Sequence, residues 1–192
     1  MNKTDFLLAG VGGQGILTAS DILAEVGMAC GLDAKKSEVH GFSQRGGIVE
    51  SHVRWAPRVA APLGEPGRID YLLAFELIEG ARWIEMLKPG GIAIVNRQRI
   101  LPMSVTVGNA AYPNDDAIDR ALRAVTDRVV YVEGLEIARA LGNKHLANTV
   151  LLGALARELD LDPEVWLKVI VKRVPSKYSD LNKHAFWKGL GK

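Results

Sequence analysis

The 192-residue chain has one cysteine, Cys30. No disulfide can close within it, and neither a thiolate zinc site nor an iron–sulfur cluster can be assembled from its own side chains. A lone thiol of this kind is expected as a small buried hydrophobe in a reducing compartment. Charge of one sign is also lacking. The formal net charge is +2, too small to draw a nucleic acid. The basic residues that do gather late (Lys168, Lys172, Arg173, Lys177, Lys183 and Lys188) are irregularly spaced, and aromatics do not interleave with them systematically. They read as a solvated or subunit-facing surface. No apolar run approaches membrane-spanning length, and Lys3 and Asp5 with only four apolar residues after them do not make a signal peptide. The expectation is a cytoplasmic protein with no membrane or nucleic-acid partner. The four histidines, His40, His52, His145 and His184, lack metal-site spacing. There is no G-x-S-x-G elbow, no lysine closing a P-loop, and no nucleophile with a base beside it.

What is present is an ordinary globular mix, 48% hydrophobic and 24% charged, at a length that suits a single domain over residues 1–192. Apolar residues 5–9 read as a strand, and residues 15–26 as a helix punctuated by Gly27 and Gly31. Residues 33–39 read as a second strand. A polar glycine-rich loop follows, and then Ile48 to Trp55 alternates with period two, as a half-exposed strand does. Two strands joined by such a loop read as antiparallel neighbours. Residues 56–68, rich in proline and glycine, read as an exposed connection.

Strand and helix then alternate. Residues 71–75, 92–96 and 129–132 are strands apolar on both faces, the mark of a parallel sheet between helical layers. Helices are expected at 76–87, stopped by Lys88-Pro89-Gly90-Gly91, then from Asn114 to about 126, at 134–141, at 145–159 and from Pro163 to about 174. A short strand is expected at 104–107, and a polar, basic tail after Pro175. The fold class is α/β: a Rossmann-like three-layer sandwich, mostly parallel, with an antiparallel portion.

The first strand runs into Gly10-Val11-Gly12-Gly13-Gln14-Gly15, which fits G-x-G-x-x-G in its strand–turn–helix setting. Gly10 would permit the tight turn, Gly12 a close backbone approach, and Gly15 the packing of helix on strand. Free N–H groups at the helix start favour an anion. Three readings stand: a dinucleotide, another phosphate-bearing ligand, or a structural turn. The dinucleotide reading needs an acid about 20 residues on. Glu38 is the only candidate there, and Lys35 and Lys36 beside it suit a phosphate better. The second loop, Ser43-Gln44-Arg45-Gly46-Gly47, is either a plain hairpin loop or a grip in which the Arg45 guanidinium holds a carboxylate, a phosphate or a partner chain. His40 adjoins it. Glu76 opens a helix directly after a buried strand, where α/β ligands sit, and would equally serve as a first-turn acid.

Taken together, Gly10–Gly15, Ser37-Glu38-Val39-His40-Gly41, Ser43–Gly47, Phe75-Glu76, Lys88–Gly91 and Asn148 to Gly153 resemble the gamma-type domain of 2-oxoacid:ferredoxin oxidoreductases. The similarity covers nearly the whole chain and is greatest to the branch acting on aryl pyruvates such as indolepyruvate. The resemblance implies a complex that oxidatively decarboxylates a 2-oxoacid to an acyl-CoA. It implies that thiamine diphosphate, magnesium and iron–sulfur clusters lie in a larger alpha subunit, with ferredoxin as acceptor. This chain binds none of them alone, since it has one cysteine and no G-D-G diphosphate signature. Under the same resemblance the Gly10–Gly15 loop and Arg45 bind CoA phosphates or lock the subunit interface. The rival classes are a stand-alone nucleotide-binding regulatory or scaffolding module and an NAD(P)- or flavin-dependent oxidoreductase.

Overall fold

The computed structural model describes residues 3–40 and 47–192. In chain order the elements are β1 (Thr4–Val11), α1 (Ile16–Ala29), β2 (Asp33–His40), β3 (Ile48–Ala56), β4 (Ile69–Ala74) and α2 (Leu77–Trp83). They continue with β5 (Leu87–Asn96), α3 (Met103–Thr106), α4 (Asp115–Arg123), β6 (Val129–Val132), α5 (Gly134–Ala140), α6 (Ala147–Arg157), α7 (Pro163–Arg173) and α8 (Ser179–Leu190).

The sheet has six strands in the order β2-β3-β1-β4-β5-β6. β1, β4, β5 and β6 run parallel, while β3 is antiparallel to both β1 and β2. This is the expected mixed sheet. Its particular feature is that β3 is inserted between β1 and β2, which a dinucleotide fold would place side by side.

Two apolar layers enclose the sheet. On one face Phe6, Leu8, Val53, Trp55, Leu73 and Ile94 pack against α1, α6, α7 and α8. On the other, Leu7, Ala9, Leu72, Ala74, Ala93 and Val95 pack against α2 and α4. Alternation along each strand sends neighbours to opposite faces, so strands apolar on both faces sit in the middle. β3 breaks this pattern. Glu50, His52 and Arg54 share the face of Leu7 and Ala9. The proline-rich connection folds over His52 and Arg54 there. Arg54 ion-pairs with Asp5 and donates to the carbonyls of Ala61 and Leu63, and His52 Nδ1 accepts from Gly64 N–H at 3.2 Å. His52 is therefore a satisfied core residue, 4% exposed.

Helix boundaries follow their caps. Asn114 accepts from Ala117 N–H at 2.9 Å, Asp115 and Asp116 fill the first turn, and Arg120 and Arg123 the last, as the helix dipole favours. Asp162 caps α7, with Pro163 in its first turn.

Three expectations are corrected. Residues 103–106 form the short helix α3, not a strand, because Thr106 and Val107 bond back to Pro102 and Met103. The helix after Glu76 stops at Trp83, one 3-10 turn carries the chain to Met86, and Lys88–Gly91 belong to β5. The polar tail is α8, whose Ala185, Phe186 and Gly189 are buried against the core.

Candidate functional site

The C-terminal ends of β1, β4 and β5 converge with the start of α5 on a hollow of about 250 Å³. Its wall includes Gly12, Gly13, Gln14, Phe75, Asn96, Gln98, Ile100, Lys144 and His145. Ligands of open α/β sheets sit at this end of the strands.

The floor is a closed amide network. Gln14 Oε1 accepts from Val11 N–H at 2.8 Å, and Gln14 Nε2 donates to Phe75 O at 2.8 Å and to Gln98 Oε1 at 3.1 Å. Asn96, 1% exposed, donates to Phe75 O at 3.1 Å and accepts from Gly134 N–H at 3.0 Å. These amides fix the ends of three strands and the start of α5 relative to each other. Asn96 and Gln98 stand outside the sequence motifs. The signal that could have found them is position alone, directly after a buried strand.

The glycine loop works differently from expectation at Gly10. That residue lies within extended β1, and a Cβ there would come within 2.7 Å of Gln14 Oε1 and 2.8 Å of Phe75 Cβ. Its role is close packing. The turn itself is made at Gly13 and Gly15, with φ of 101° and 80°, a region other residues rarely occupy. Gly15 also packs against α6, since a Cβ there would meet Asn148 Nδ2 at 2.7 Å. The Gly12 N–H donates to the Gly47 carbonyl at 2.9 Å. The two loops singled out by sequence are thus joined, the end of the second resting on the turn of the first. Ser43, Gln44, Arg45, Gly46 and the side chain of His40 lie outside the described residues.

At the start of α1 no side chain caps the helix and no acid occupies the first turn. The first N–H groups keep their partial positive charge, and across the hollow stand the exposed side chains of Lys144 and His145. This arrangement can receive an anion. Sequence reading missed Lys144, and gave His145 no part beyond that of a surface or satisfied core group.

Glu38 does not reach the hollow. It lies on edge strand β2, one strand further from β1 than a dinucleotide fold requires, and its carboxylate pairs with Lys36, which also holds Asp21. Glu76 is 1% exposed and committed to the fold. Its Oε2 caps α2 by accepting from Glu79 N–H at 3.1 Å, and its Oε1 accepts from Ile100 N–H at 3.0 Å and from the Tyr112 hydroxyl at 2.5 Å. Burial, and then the bond to Glu76, raise the Tyr112 pKa well above the ordinary phenol value. Cys30 is half-buried, and burial pushes its thiol pKa up, away from a reactive thiolate.

A larger cleft of about 540 Å³ lies between α4 and β6. Its arginines are already engaged, Arg99 with Asp115, Arg123 with Asp119 at 2.9 Å, and Arg97 with Glu133 at 3.7 Å and the Tyr131 ring at 4.8 Å. It offers a ligand less free charge than the smaller hollow. Among the described residues no three His, Cys, Asp or Glu side chains converge as a metal site, and no helix is long and apolar enough to cross a membrane.

A family model described as pyruvate ferredoxin/flavodoxin oxidoreductase matches residues 5–191. The indolepyruvate oxidoreductase subunit IorB of Archaeoglobus fulgidus is 39% identical over 189 residues, covering 97% of this chain and 94% of that one. The IorB subunit of Pyrococcus horikoshii is 35% identical over 193 residues, covering 99% and 96%. The crystal structure of a keto/oxoacid ferredoxin oxidoreductase gamma subunit from Geobacter sulfurreducens superposes with a TM-score of 0.70 at 26% identity, covering 97% and 95%.

Proposed function

Because the chain belongs to the pyruvate ferredoxin/flavodoxin oxidoreductase family, we propose that it is the smaller subunit of an indolepyruvate-type 2-oxoacid:ferredoxin oxidoreductase. The observation that carries this reading is the end-to-end match to IorB, at 39% identity over 97% of the chain. In this reading the larger alpha subunit carries thiamine diphosphate, magnesium and the iron–sulfur clusters, which supply decarboxylation and electron transfer to ferredoxin. A single cysteine supports that division, since a cluster needs several thiolates.

The chain's own contribution is to bind and orient. The uncapped start of α1, with Lys144 and His145 opposite, supports an anion site facing the partner, and the CoA phosphates are the anion the reaction offers. Gly10, Gly12, Gly13, Gln14 and Gly15 shape that site, Gly47 braces it, and Arg45 adds a bidentate grip on phosphate or on the partner chain. In sequence Ser43, Gln44 and Gly46 flank Arg45, and His40 closes β2 just before them. Glu76 and Glu38 act through the fold, by fixing the segments around the site.

The test is reconstitution. The chain alone is expected to show no indolepyruvate-dependent ferredoxin reduction, and to gain it with CoA on adding the large subunit. Arg45→Ala or Lys144→Ala is then expected to weaken CoA binding about tenfold, the loss of one charge-assisted contact. Co-purification without activity would sink the reaction assigned. Unchanged CoA affinity and unchanged assembly in both variants would sink the role given to the two loops.

A further inference from the structure

The chain from Ile100 to Asn114 contains no ionisable carboxylate, lysine or arginine. Between Arg99 and Asp115, both charged, it forms a projecting arm. Its short helix α3 has no buried residue. Leu101, Met103 and Val107 are 56%, 77% and 57% exposed.

An apolar segment with so little burial would ordinarily be disordered, yet this one is internally tied. Asn109 and Ala110 N–H both bond to Ser104 O, and Thr106 Oγ1 to Pro102 O. Both ends of the arm are pinned by a single buried carboxylate. Glu76 Oε1 accepts from Ile100 N–H where the arm leaves and from the Tyr112 hydroxyl where it returns. The fold thus uses a buried acid to present an uncharged loop to the outside. Its ordering cost is met before any partner arrives, which favours binding.

The arm does not stand alone. β1, β2, β4 and β5 all point the same way, so the arm, the start of α1, the end of β2 and the start of β3 share one end of the sheet. At that end Leu17, Val39 and Ile48 are 39%, 46% and 40% exposed. Among the described residues, those three and the arm's three are six of the nine exposed large apolar side chains, the others being Met28, Leu63 and Tyr178. From β2 to β5 this end spans four strand spacings, about 19 Å.

We propose that the arm at residues 101–111, with the apolar end face around the glycine loop, is the docking surface for the cofactor-bearing large subunit, the arm inserting into an uncharged groove there. This rests on the function proposed above. A second copy of the chain is the less suitable occupant. A two-fold dimer through this end would set the hollow beside Gly12 and Gln14 against a second chain with a single cysteine and no means of holding a cluster, leaving the anion site without the redox partner it is read to face.

The test uses the two-subunit complex. Met103→Asp and Val107→Asp place charge on the most exposed arm positions, and Met28→Asp does the same away from this end as a control. Association is measured by titration calorimetry, and amide hydrogen exchange of the unmodified chain is followed with and without the large subunit. The expected result is at least tenfold weaker association for each arm variant, none for the control, and slowed exchange across 101–111 in the complex. Association and exchange unaffected at the arm, in a complex that does assemble, overturn the arm proposal and leave the function standing. No assembly of the unmodified chains overturns both. Self-association of the isolated chain that Met103→Asp abolishes overturns the occupant.

Discussion

At the scale of single residues, buried carboxyls divide into those the fold has partnered and those it has not. Glu76 has a donor on each oxygen. Glu50, in β3, does not. Its side chain is 14% exposed, Oε2 has no hydrogen-bond partner among the described residues, and His52 Nε2 stands 4.0 Å away. His52 is no counter-ion, since burial, and then the Arg54 charge, push its pKa down. Burial pushes the Glu50 pKa up from 4.5. Below pH 4.5 the carboxyl is protonated folded and unfolded and costs nothing. As pH rises through the folded-state value, the unfolded chain ionises first and stability falls. Glu50→Gln is therefore expected to stabilise the protein at pH 7, by about 0.5–2 kcal/mol, with the gain vanishing near pH 4. Urea unfolding at the two pH values checks this, and an equal gain at both would remove the charge from the explanation. The alternation of β3 in sequence placed Glu50 opposite Val49 and Val53, but it read that face as half-exposed. The covering segment, with Gly64 beside His52, has no periodicity to announce it.

At the scale of elements, the strands and capped helices were legible because their signals are local. Asn114 and Asp162 are caps, and residues 92–96 are apolar on both faces. α8 was not, because it meets α6 backbone to backbone at two glycines. A Cβ at Gly189 would lie 1.9 Å from Val150 O, and one at Gly153 would lie 2.2 Å from Phe186 O. Glycine and alanine give little hydrophobic signal, while Lys183, His184 and Lys188 on the outer side give a strong polar one. Buried Asn182 adds to the disguise, although it accepts from Thr149 Oγ1 at 2.6 Å. Gly189→Ala gains about 1 kcal/mol of helix propensity but forces two helices apart at a backbone contact, an overpacking cost of about 1–3 kcal/mol or more. The contact distance decides the sign. A net loss of about 2 kcal/mol in chemical denaturation is expected, and a stabilised variant would mean that α8 does not seat as described. The site shows the same division. Gly12 to Gln14 and Gly47 were found by motif, whereas Asn96, Gln98 and Lys144 come together only through the topology of β5 and the segment before α6.

At the scale of the whole molecule, one strand decides what kind of fold this is. β3 takes the place beside β1 that a dinucleotide domain gives to β2, and with it goes the geometry that would have brought Glu38 to a ribose. The same insertion sets the order in which the chain can fold. Through the first 40 residues neither β1 nor β2 has a sheet partner, because they are neighbours of β3 and not of each other. A growing chain carries two unpaired strand edges until Ile48–Ala56 emerges, and the other side of β1 waits for Ile69–Ala74. Nucleation is therefore expected to centre on β3. Val53→Ala, at a position 1% exposed, should lose about 2 kcal/mol and show most of that loss as slower refolding in stopped-flow kinetics. If the loss falls on the unfolding rate alone, the nucleus lies elsewhere. On the ribosome, the interval before β3 appears is when this protein is most open to pairing with a stranger's strand.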